Sequence, residues 1–390
     1  MPRVIKANRG DLASRWGVVK VLEELGIGDV TIFYHGLEGL PETNYKKIKY
    51  GYLKNALPDI SGIKSILDAD INLWAVGLDI QDDSSLVKLI YLVFIFSIYK
   101  LLNIKNIILL QGAGPLNTKI GRFLAKLALK QVDYFVARDP GTYHLIDEIA
   151  PGLEKRLGHD AIFLPGFDEY RGLLTNHRTD HPLATNKELD IGINIRQWFH
   201  FSSSIIPYQF NKRVYKQKSK PKMDILIKQY CDLIEWLIQQ FNANIILLSA
   251  YQPGIEPWED DVYYLNKIKE KFSNNEKVRL MENSNNMESY FRTMESLDLM
   301  IGMRLHSSLI ALRLGVPSIN ISYTLKGKDI MDHLGLHGTV IDLNDFISST
   351  NKIKEMAANT ILHLDDERLK VNATVDQAIK ENIELLRAIL

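Results

Sequence analysis

Short runs of apolar residues alternate along the chain with longer segments in which apolar residues recur every three or four positions. The short runs predict buried strands, and the longer segments predict amphipathic helices. In the first half, the predicted strands are residues 3–6, 29–34, 72–76, 106–111 and 134–137. The predicted helices are 13–25, 85–102, one that begins at Asn117 or Thr118, and one that begins near Thr142. Strands that alternate with helices indicate a parallel sheet with right-handed crossovers.

Residues 176–187, rich in Asn, His, Thr, Asp and Pro, interrupt this pattern and are typical of a linker. The alternation then resumes with strands 189–195, 244–249, 278–281 and 297–301 and with helices 223–241, 260–272 and 287–294. The pattern therefore predicts an α/β protein of two Rossmann-like domains, residues 1–175 and 188–350, with a cleft between them. A helical tail, residues 351–390, is expected to pack back on the first domain.

Composition and charge narrow the class of protein. The chain has 390 residues, more than one ordinary core requires, which agrees with two domains. Its 47 Lys and Arg residues balance 47 Asp and Glu residues, which excludes a globally basic nucleic-acid binder and means that any anion site is built locally. The single cysteine, Cys231, is expected to be a buried thiol in a reducing compartment. The N-terminus lacks the apolar region of a signal peptide, so a cytoplasmic location is expected.

Two segments bear on contact with a membrane. The apolar stretch 89–99 lies between Lys88 and Lys100, is too short to span a bilayer and is predicted to be a buried helix. Residues 212–222 form the strongest charge cluster and are predicted to be a basic loop. A solvated loop is the default interpretation, but the two segments together leave open a peripheral contact with the inner face of a membrane.

Cationic residues follow several predicted strands, at the edge where open α/β sheets bind ligands. Arg304 and His306 lie where strand 297–301 turns into a helix, whose N-terminus favours anions. Arg138 follows the last strand of the first domain, and Lys326 is predicted to lie in a loop. These groups could converge on one multiply charged ligand. The alternatives are that Arg304 pairs with a carboxylate, that His306 only caps its helix and that Arg138 lies in a water-exposed turn.

The motifs of several enzyme classes are missing. The sequence contains no Walker loop, no Gly-x-Gly-x-x-Gly after a strand, no Gly-x-Ser-x-Gly and no His-Glu-x-x-His. Their absence disfavours P-loop nucleotide chemistry, classical NAD chemistry and the commonest hydrolases. Cations at strand ends instead suit a small anionic substrate whose phosphate leaves. A nucleotide-sugar transferase would also use a two-domain cleft, but residues 315–327 contain no Asp or Glu to hold a ribose diol.

Short motifs spread over most of the chain resemble the polysaccharide pyruvyl transferases, which move pyruvate from phosphoenolpyruvate onto two hydroxyls of a sugar as a cyclic ketal. In order they are Asn-Arg-Gly-Asp (8–11), Gly-Leu-Asp-Ile-Gln-Asp (77–82) with Ser-Ser (84–85), Gly-Ala-Gly-Pro-Leu (112–116), Ala-Arg-Asp (137–139), His-Asp (159–160), Ile-Asn-Ile-Arg-Gln-Trp (193–198), Met-Arg-Leu-His (303–306), and Gly-Val-Pro (315–317) with Tyr-Thr-Leu-Lys (323–326). The chain departs from the family at Gly77-Leu78, where consecutive glycines are more usual. The resemblance implies a fold similar to that of the GT-B glycosyltransferases, with the active site between the domains.

The resemblance also implies which residues contact the donor, phosphoenolpyruvate. They are Arg138, Arg304, Leu305, His306 and Lys326. Arg304 and Lys326 are expected to hold the phosphate and Arg138 the carboxylate, or the reverse. His306 is expected to be the general acid or base. No metal and no cofactor is expected, because phosphoenolpyruvate itself is the donor substrate.

The acceptor is expected to be a sugar of a surface polysaccharide or of its precursor, free or lipid-linked. Asp11 and Asp79 are candidate catalytic residues that orient or deprotonate its hydroxyls, and Asn8 and Arg196 complete the predicted acceptor side. As alternatives, Asp11 could cap a helix and Asp79 could be a turn residue. Two other functions stay open: a nucleotide-sugar glycosyltransferase of the same fold, and a saccharide-binding protein without catalysis.

Overall fold

The computed structural model describes residues 8–34, 48–54, 57–58, 60–82, 86–166, 188–198, 212–251, 261–281 and 287–390. The predicted strand 3–6 and the predicted linker 176–187 lie outside these residues. The predicted boundary between the domains falls there as well, so the domain limits stay a prediction.

The helices and strands alternate through most of the described chain. The helices are α1 (Arg9–Glu24), α2 (Ile60–Leu67), α3 (Leu86–Leu101), α4 (Lys119–Leu129), α5 (Pro140–Ile149), α6 (Lys212–Phe241), α7 (Asp261–Lys271), α8 (Met287–Glu295), α9 (Leu305–Arg313), α10 (Leu325–His333), α11 (Leu343–Ser348), α12 (Asn351–Leu362) and α13 (Leu364–Ile389), with a 3-10 turn at Ala161–Phe163. The strands are β1 (Val30–Tyr34), β2 (Ile48–Lys54), β3 (Leu57–Pro58), β4 (Ile71–Ala75), β5 (Leu78–Ile80), β6 (Lys105–Ala113), β7 (Tyr134–Ala137), β8 (Lys155–Leu157), β9 (Asp190–Asn194), β10 (Asn244–Leu247), β11 (Val278–Leu280), β12 (Leu299–Gly302), β13 (Ser318–Ser322) and β14 (Val340–Asp342).

Each half of the chain builds a parallel sheet. The first has the strand order β4-β6-β7-β8, with β5 also paired to β6, and β1 to β3 form a small separate sheet. The second has the order β11-β10-β9-β12-β13-β14, and all its pairs are parallel. The predicted α/β architecture of two parallel-sheet domains is thereby confirmed.

The strand order of the second sheet fixes where a ligand site is expected. The order reverses between β9 and β12, and open α/β sheets bind ligands at the carboxyl ends of the strands on either side of such a reversal. β9 ends at Asn194 and β12 ends at Gly302. The motif that carries Arg304 and His306 begins directly after β12, so the topology places it at this crevice.

Three sequence predictions are wrong in detail, and two strands were missed. Residues 212–222, predicted as a basic loop, form the first part of α6, because Lys and Gln favour helix and the helix accommodates Pro221 in its interior. Lys326, predicted in a loop, lies in the first turn of α10. The strands β2 and β3 were not predicted. The stretch 89–99, predicted as a buried helix, is buried in α3 on one face only.

The C-terminal tail packs on the first domain, as predicted, and also on the second. Leu386 of α13 is fully buried in a cluster with Val18 and Val136. Asn382 accepts a hydrogen bond from the backbone N–H of His159 over 2.9 Å. Nearer its start, α13 contributes Val371 to the cluster that includes α9. The tail therefore connects the two domains. Within the described part of the chain, no helix has both the length and the hydropathy needed to cross a bilayer.

Candidate functional site

A buried asparagine from β9 holds the turn that carries Arg304 and His306. Asn194 Oδ1 accepts hydrogen bonds from the backbone N–H groups of Met303 (2.8 Å) and Arg304 (3.1 Å). Its Nδ2 group donates to Ser307 Oγ over 2.9 Å. Asn194 therefore satisfies N–H groups at the start of α9 that the helix cannot pair by itself, and it fixes where the two predicted site residues emerge.

His306 lies in the first turn of α9, between two carboxylates. Its Nδ1 atom is 4.0 Å from Asp11 Oδ1, and its Nε2 atom is 3.7 Å from Asp160 Oδ2. Helix α1 makes room for the ring through Gly10, where a Cβ atom would lie 2.2 Å from the Cβ atom of His306. A proton carried on either ring nitrogen would therefore have an anion beside it.

Arg138 directly follows β7 and is 7% exposed. Its Nη1 atom lies 3.2 Å from Asp160 Oδ2, and its Nε atom lies 3.6 Å from Asp139 Oδ2. Gly112, near the end of β6, admits the guanidinium, since a Cβ atom there would lie 2.9 Å from Nε. A water-exposed turn is excluded, because Asp139 is fully buried and caps α5. Arg138 Nε is buried and makes no hydrogen bond within the described part of the chain.

Asp160 joins these two side chains. Its Oδ1 atom accepts a hydrogen bond from the backbone N–H of Ile162, while Oδ2 faces both Arg138 and His306. Burial by itself raises the pKa of the Asp160 carboxyl, but the neighbouring His306 and Arg138 outweigh burial and lower this pKa to about 2. Asp160 is therefore a permanent anion between a residue of the first domain and a residue of the second.

Arg304 has a carboxylate partner, as one sequence alternative held. Its Nε atom lies 3.2 Å from Asp261 Oδ1, and its Nη2 atom lies 2.6 Å from the same oxygen. Its guanidinium also lies 4.4 Å from the ring centre of Tyr251. Burial opposes the charge of Arg304, but Asp261 more than compensates and raises the pKa of Arg304. Any ligand at this position would meet a guanidinium that Asp261 has already oriented.

Lys326 reaches from α10 to the first domain. Its Nζ group donates a hydrogen bond to the carbonyl oxygen of Gly114, in the turn after β6. The Arg138 guanidinium packs against Gly112, two residues earlier, near the end of β6. The fold therefore brings Arg138, Lys326 and, through Asp160, His306 to one place, although they come from both domains.

The start of α1 is bound to the second domain, which places Asp11 beside α9. Asn8 pairs with Tyr251 in an antiparallel bridge, and its Oδ1 atom caps α1 by accepting from Gly10 N over 2.9 Å. Arg9 Nη1 donates to the carbonyl oxygen of Ser249 over 2.8 Å. Asn8 thus holds α1 in place, while Asp11 projects from its first turn with 43% of the side chain exposed.

Arg196 and Leu305 flank the crevice of the second domain. The Arg196 guanidinium lies 4.9 Å from the ring centre of Tyr323 and 5.5 Å from that of Trp198, and the two rings are 4.1 Å apart. Aromatic faces beside a cation can stack on a sugar ring, but the same arrangement also occurs in ordinary side-chain packing. Leu305, the first residue of α9, packs against the core of the second domain.

Asp79 is held by residues of its own domain. Its Oδ2 atom accepts hydrogen bonds from Trp74 Nε1 (2.9 Å) and Gln111 Nε2 (3.0 Å), and its Oδ1 atom pairs with Lys88. None of the cations predicted for the donor is among these contacts. These contacts hold the Asp79 side chain beside the end of β6. They account for its position better than the alternative that Asp79 is only a turn residue.

Three residues of this site were not singled out from the sequence. Asp160 and Asn194 lie inside the motifs at 159–160 and 193–198, so a signal for them was present in the sequence. Asp261 lies in a predicted helix without a motif, and only the folded chain brings it to Arg304.

Comparison with solved structures shows a shared fold at low sequence identity. UDP-GlcNAc 2-epimerase from Neisseria meningitidis bound to UDP-GlcNAc has a TM-score of 0.55 and 12% identity, over 97% of this chain and 97% of its own. The putative UDP-N-acetylglucosamine 2-epimerase from Listeria monocytogenes has a TM-score of 0.53 and 11% identity, over 95% and 89%. HepE from Anabaena in complex with UDP-glucose has a TM-score of 0.53 and 10% identity, over 96% and 94%. The predicted GT-B-like fold is confirmed, and at this identity the likeness shows the fold alone.

The family model described as Polysaccharide pyruvyl transferase matches residues 8–324. The matched segment contains every motif quoted above for the resemblance except its last two residues, Leu325 and Lys326.

Proposed function

The chain belongs to the polysaccharide pyruvyl transferase family, and on that premise we propose that it transfers pyruvate from phosphoenolpyruvate onto a sugar of a surface polysaccharide or of its precursor. One observation of the fold supports the donor most directly. Arg138 and His306, from different domains, share the buried carboxylate of Asp160, and Lys326 of the second domain donates a hydrogen bond to the carbonyl oxygen of Gly114 in the first. A ligand that carries both a carboxylate and a phosphate suits such a place.

In this proposal the donor is held across the two domains. Arg138 binds the carboxylate of phosphoenolpyruvate, and Lys326 binds the phosphate from the other side of the turn after β6. Arg304 supports the phosphate with a guanidinium oriented by Asp261, and the N-terminal end of α9 beside Leu305 adds its dipole. The set contains no metal ligand and uses no cofactor.

The proposed reaction uses His306 as the general acid. His306 protonates the methylene carbon of phosphoenolpyruvate, positive charge develops at the central carbon, and one sugar hydroxyl adds there. Asp11, 4.0 Å from the other side of the His306 ring, accepts the proton of that hydroxyl. Phosphate then leaves, and the neighbouring hydroxyl adds to the central carbon, closes the ketal and gives its proton to His306, which restores the acid. Asp160 beside Nε2 stabilises the protonated ring at the start.

We place the acceptor on the side of α1 and of the Trp198–Tyr323 pair. Asn8 positions α1, and Arg196 with the two aromatic rings offers a flat surface and donors to a sugar. Asp79 contributes from the first domain by holding the backbone beside the end of β6 in place. Cys231, expected to be buried, is half-buried in α6, and burial raises the pKa of its thiol to about 11. A cytoplasmic enzyme is proposed as well, because the sequence has a single cysteine and no disulfide framework.

Calorimetric titration with phosphoenolpyruvate tests the donor without knowledge of the acceptor. Saturable binding is expected for the wild type, a loss of at least tenfold for Arg138→Met, and no change for Arg292→Met, whose side chain is exposed on α8. Titration with UDP-glucose and UDP-GlcNAc runs beside it. Binding of a nucleotide-sugar with no binding of phosphoenolpyruvate would overturn the proposal in favour of a glycosyltransferase. If the protein binds glycan but neither phosphoenolpyruvate nor a nucleotide-sugar, and if Arg138→Met leaves the affinity for glycan unchanged, the result would indicate a saccharide-binding protein.

A further inference from the structure

Helix α3 is apolar on two opposite sides, and within the described residues only one of these sides is buried. Its inner face buries Leu89, Leu92 and Phe96 against the first sheet. Its only charged residues are Lys88 and Lys100, which lie on the flanks and pair with Asp79 and Asp133. A surface helix normally carries polar residues on the side away from the core, and a helix that is apolar all round is normally covered on every side.

The outer side of α3 is an exposed apolar stripe. Val87, Ile90, Phe94 and Leu101 recur at helical spacing, and each is more than half exposed. They lie on the opposite side from Leu89, because the two sets differ by about half a turn.

The adjacent helix α4 extends this surface and adds charge. Ile120 and Phe123 are also more than half exposed. Lys119, Lys126 and Lys130 lie on the same stripe of α4 as Phe123, at spacings of three and four residues, and all are exposed. None of the three has an acidic partner within the described residues. Arg122, by contrast, pairs with Glu148. We call Val87, Ile90, Phe94, Leu101, Ile120 and Phe123 with the three lysines the α3/α4 face.

We propose that the α3/α4 face docks on an anionic lipid surface, with α3 lying in the plane of the interface. Apolar side chains on one stripe with unpaired cations beside them are the combination that interfacial helices use: the apolar groups enter the acyl boundary, and the lysines meet acidic headgroups. A protein partner would have to match the lysines with its own carboxylates, whereas an anionic membrane supplies negative charge over the whole face.

Docking in this way would place the rim of the cleft at the lipid surface. Lys88, in the first turn of α3, also donates to the carbonyl oxygen of Leu78 over 3.4 Å, beside Asp79. Helix α4 begins just after the turn that Lys326 contacts, and Asp82 ties its start to that turn by accepting from Thr118 N over 2.7 Å. Both helices therefore begin at the edge of the sheet that carries the site. This part of the inference rests on the proposed function, and it implies an acceptor sugar that is carried on a lipid.

Vesicle flotation tests the docking with two sets of variants. The wild type is expected to float with vesicles of phosphatidylglycerol and phosphatidylcholine and not with phosphatidylcholine alone. Phe94→Ser/Leu101→Gln removes apolar contact and Lys119→Gln/Lys126→Gln/Lys130→Gln removes charge, and each is expected to weaken binding at least tenfold. Leu362→Ser/Leu369→Ser, at two equally exposed leucines of the C-terminal helices, is the matched control and is expected to bind as the wild type does.

Other outcomes would overturn the docking without touching the proposed reaction. Wild-type protein that does not float, or variants of the α3/α4 face that float as well as the control, would exclude a lipid surface. A concentration-dependent dimer in light scattering that Phe94→Ser/Leu101→Gln abolishes would assign the face to a second copy of the chain. Titration of the same variants with phosphoenolpyruvate shows whether the donor site is intact, so failure of docking and failure of the donor proposal give different results.

Discussion

The carboxylate of Asp160 lies 3.7 Å from Nε2 of His306, and the same oxygen lies 3.2 Å from Nη1 of Arg138. One buried anion therefore connects a side chain that follows β7 with a side chain at the start of α9. This relationship gives Asp160 two tasks that variants can separate: it positions the guanidinium, and it stabilises a proton on the ring.

The variant Asp160→Asn is expected to lower activity at least tenfold. The physical reason is that asparagine keeps the hydrogen bond to Ile162 N but removes the negative charge that faces both Arg138 and His306. Steady-state rates of phosphate release measure this. An unchanged rate with a lower melting temperature would reduce Asp160 to a structural role.

The same carboxylate is expected to make stability fall in acid. Its pKa in the folded protein, about 2, lies below the ordinary value of 3.8, so its contribution is complete above pH 4 and is lost as pH falls through 2. The difference corresponds to roughly 2 kcal/mol. Urea unfolding of the wild type and of Asp160→Asn should differ by about this much at pH 6 and by clearly less at pH 3. A gap that does not depend on pH would contradict the assignment.

The variant Arg304→Met is expected to destabilise the protein by about 3–5 kcal/mol, because it leaves the buried carboxylate of Asp261 without its partner. The pair Arg304→Met/Asp261→Leu removes both charges and is expected to recover most of that loss. Urea unfolding measures stability, and calorimetry measures binding of phosphoenolpyruvate. If Arg304 contributes to the donor site, the stable double variant still fails to bind. Restored binding in the double variant would show that Arg304 acts only as the partner of Asp261.

The variant Lys326→Met is expected to weaken binding of phosphoenolpyruvate by ten- to a hundredfold while lowering the free energy of unfolding by only about 1 kcal/mol. A hydrogen bond such as that to the Gly114 carbonyl oxygen contributes little to stability, whereas the loss of a positive charge beside the phosphate strongly weakens binding. Lys328→Met, on the same helix and exposed, is the matched control. Equal affinities for the two variants would remove Lys326 from the donor site.

The sequence by itself determined the α/β architecture and the positions of the main cationic residues along it. Buried parallel strands consist of short apolar runs, so these strands can be recognised in the sequence. A residue that directly follows such a run must lie at the carboxyl edge of the sheet. Arg138 and Arg304 were placed correctly at strand ends for this reason. The basic segment 212–222 was misjudged because a local pattern cannot show whether a proline lies between helices or inside one.

Only the tertiary structure decided which side chains meet. Asp160 reaches both Arg138 and His306, and Asp261 takes two donors of Arg304, through contacts between segments that are far apart in the chain. The outer face of α3 is a further case, since the sequence shows an apolar helix but not how much of it the sheet covers. The spacing of apolar residues predicts which side chains are buried, because burial follows the local repeat of a helix or strand. It does not predict which side chains contact one another, since such a contact depends on how whole helices and strands pack.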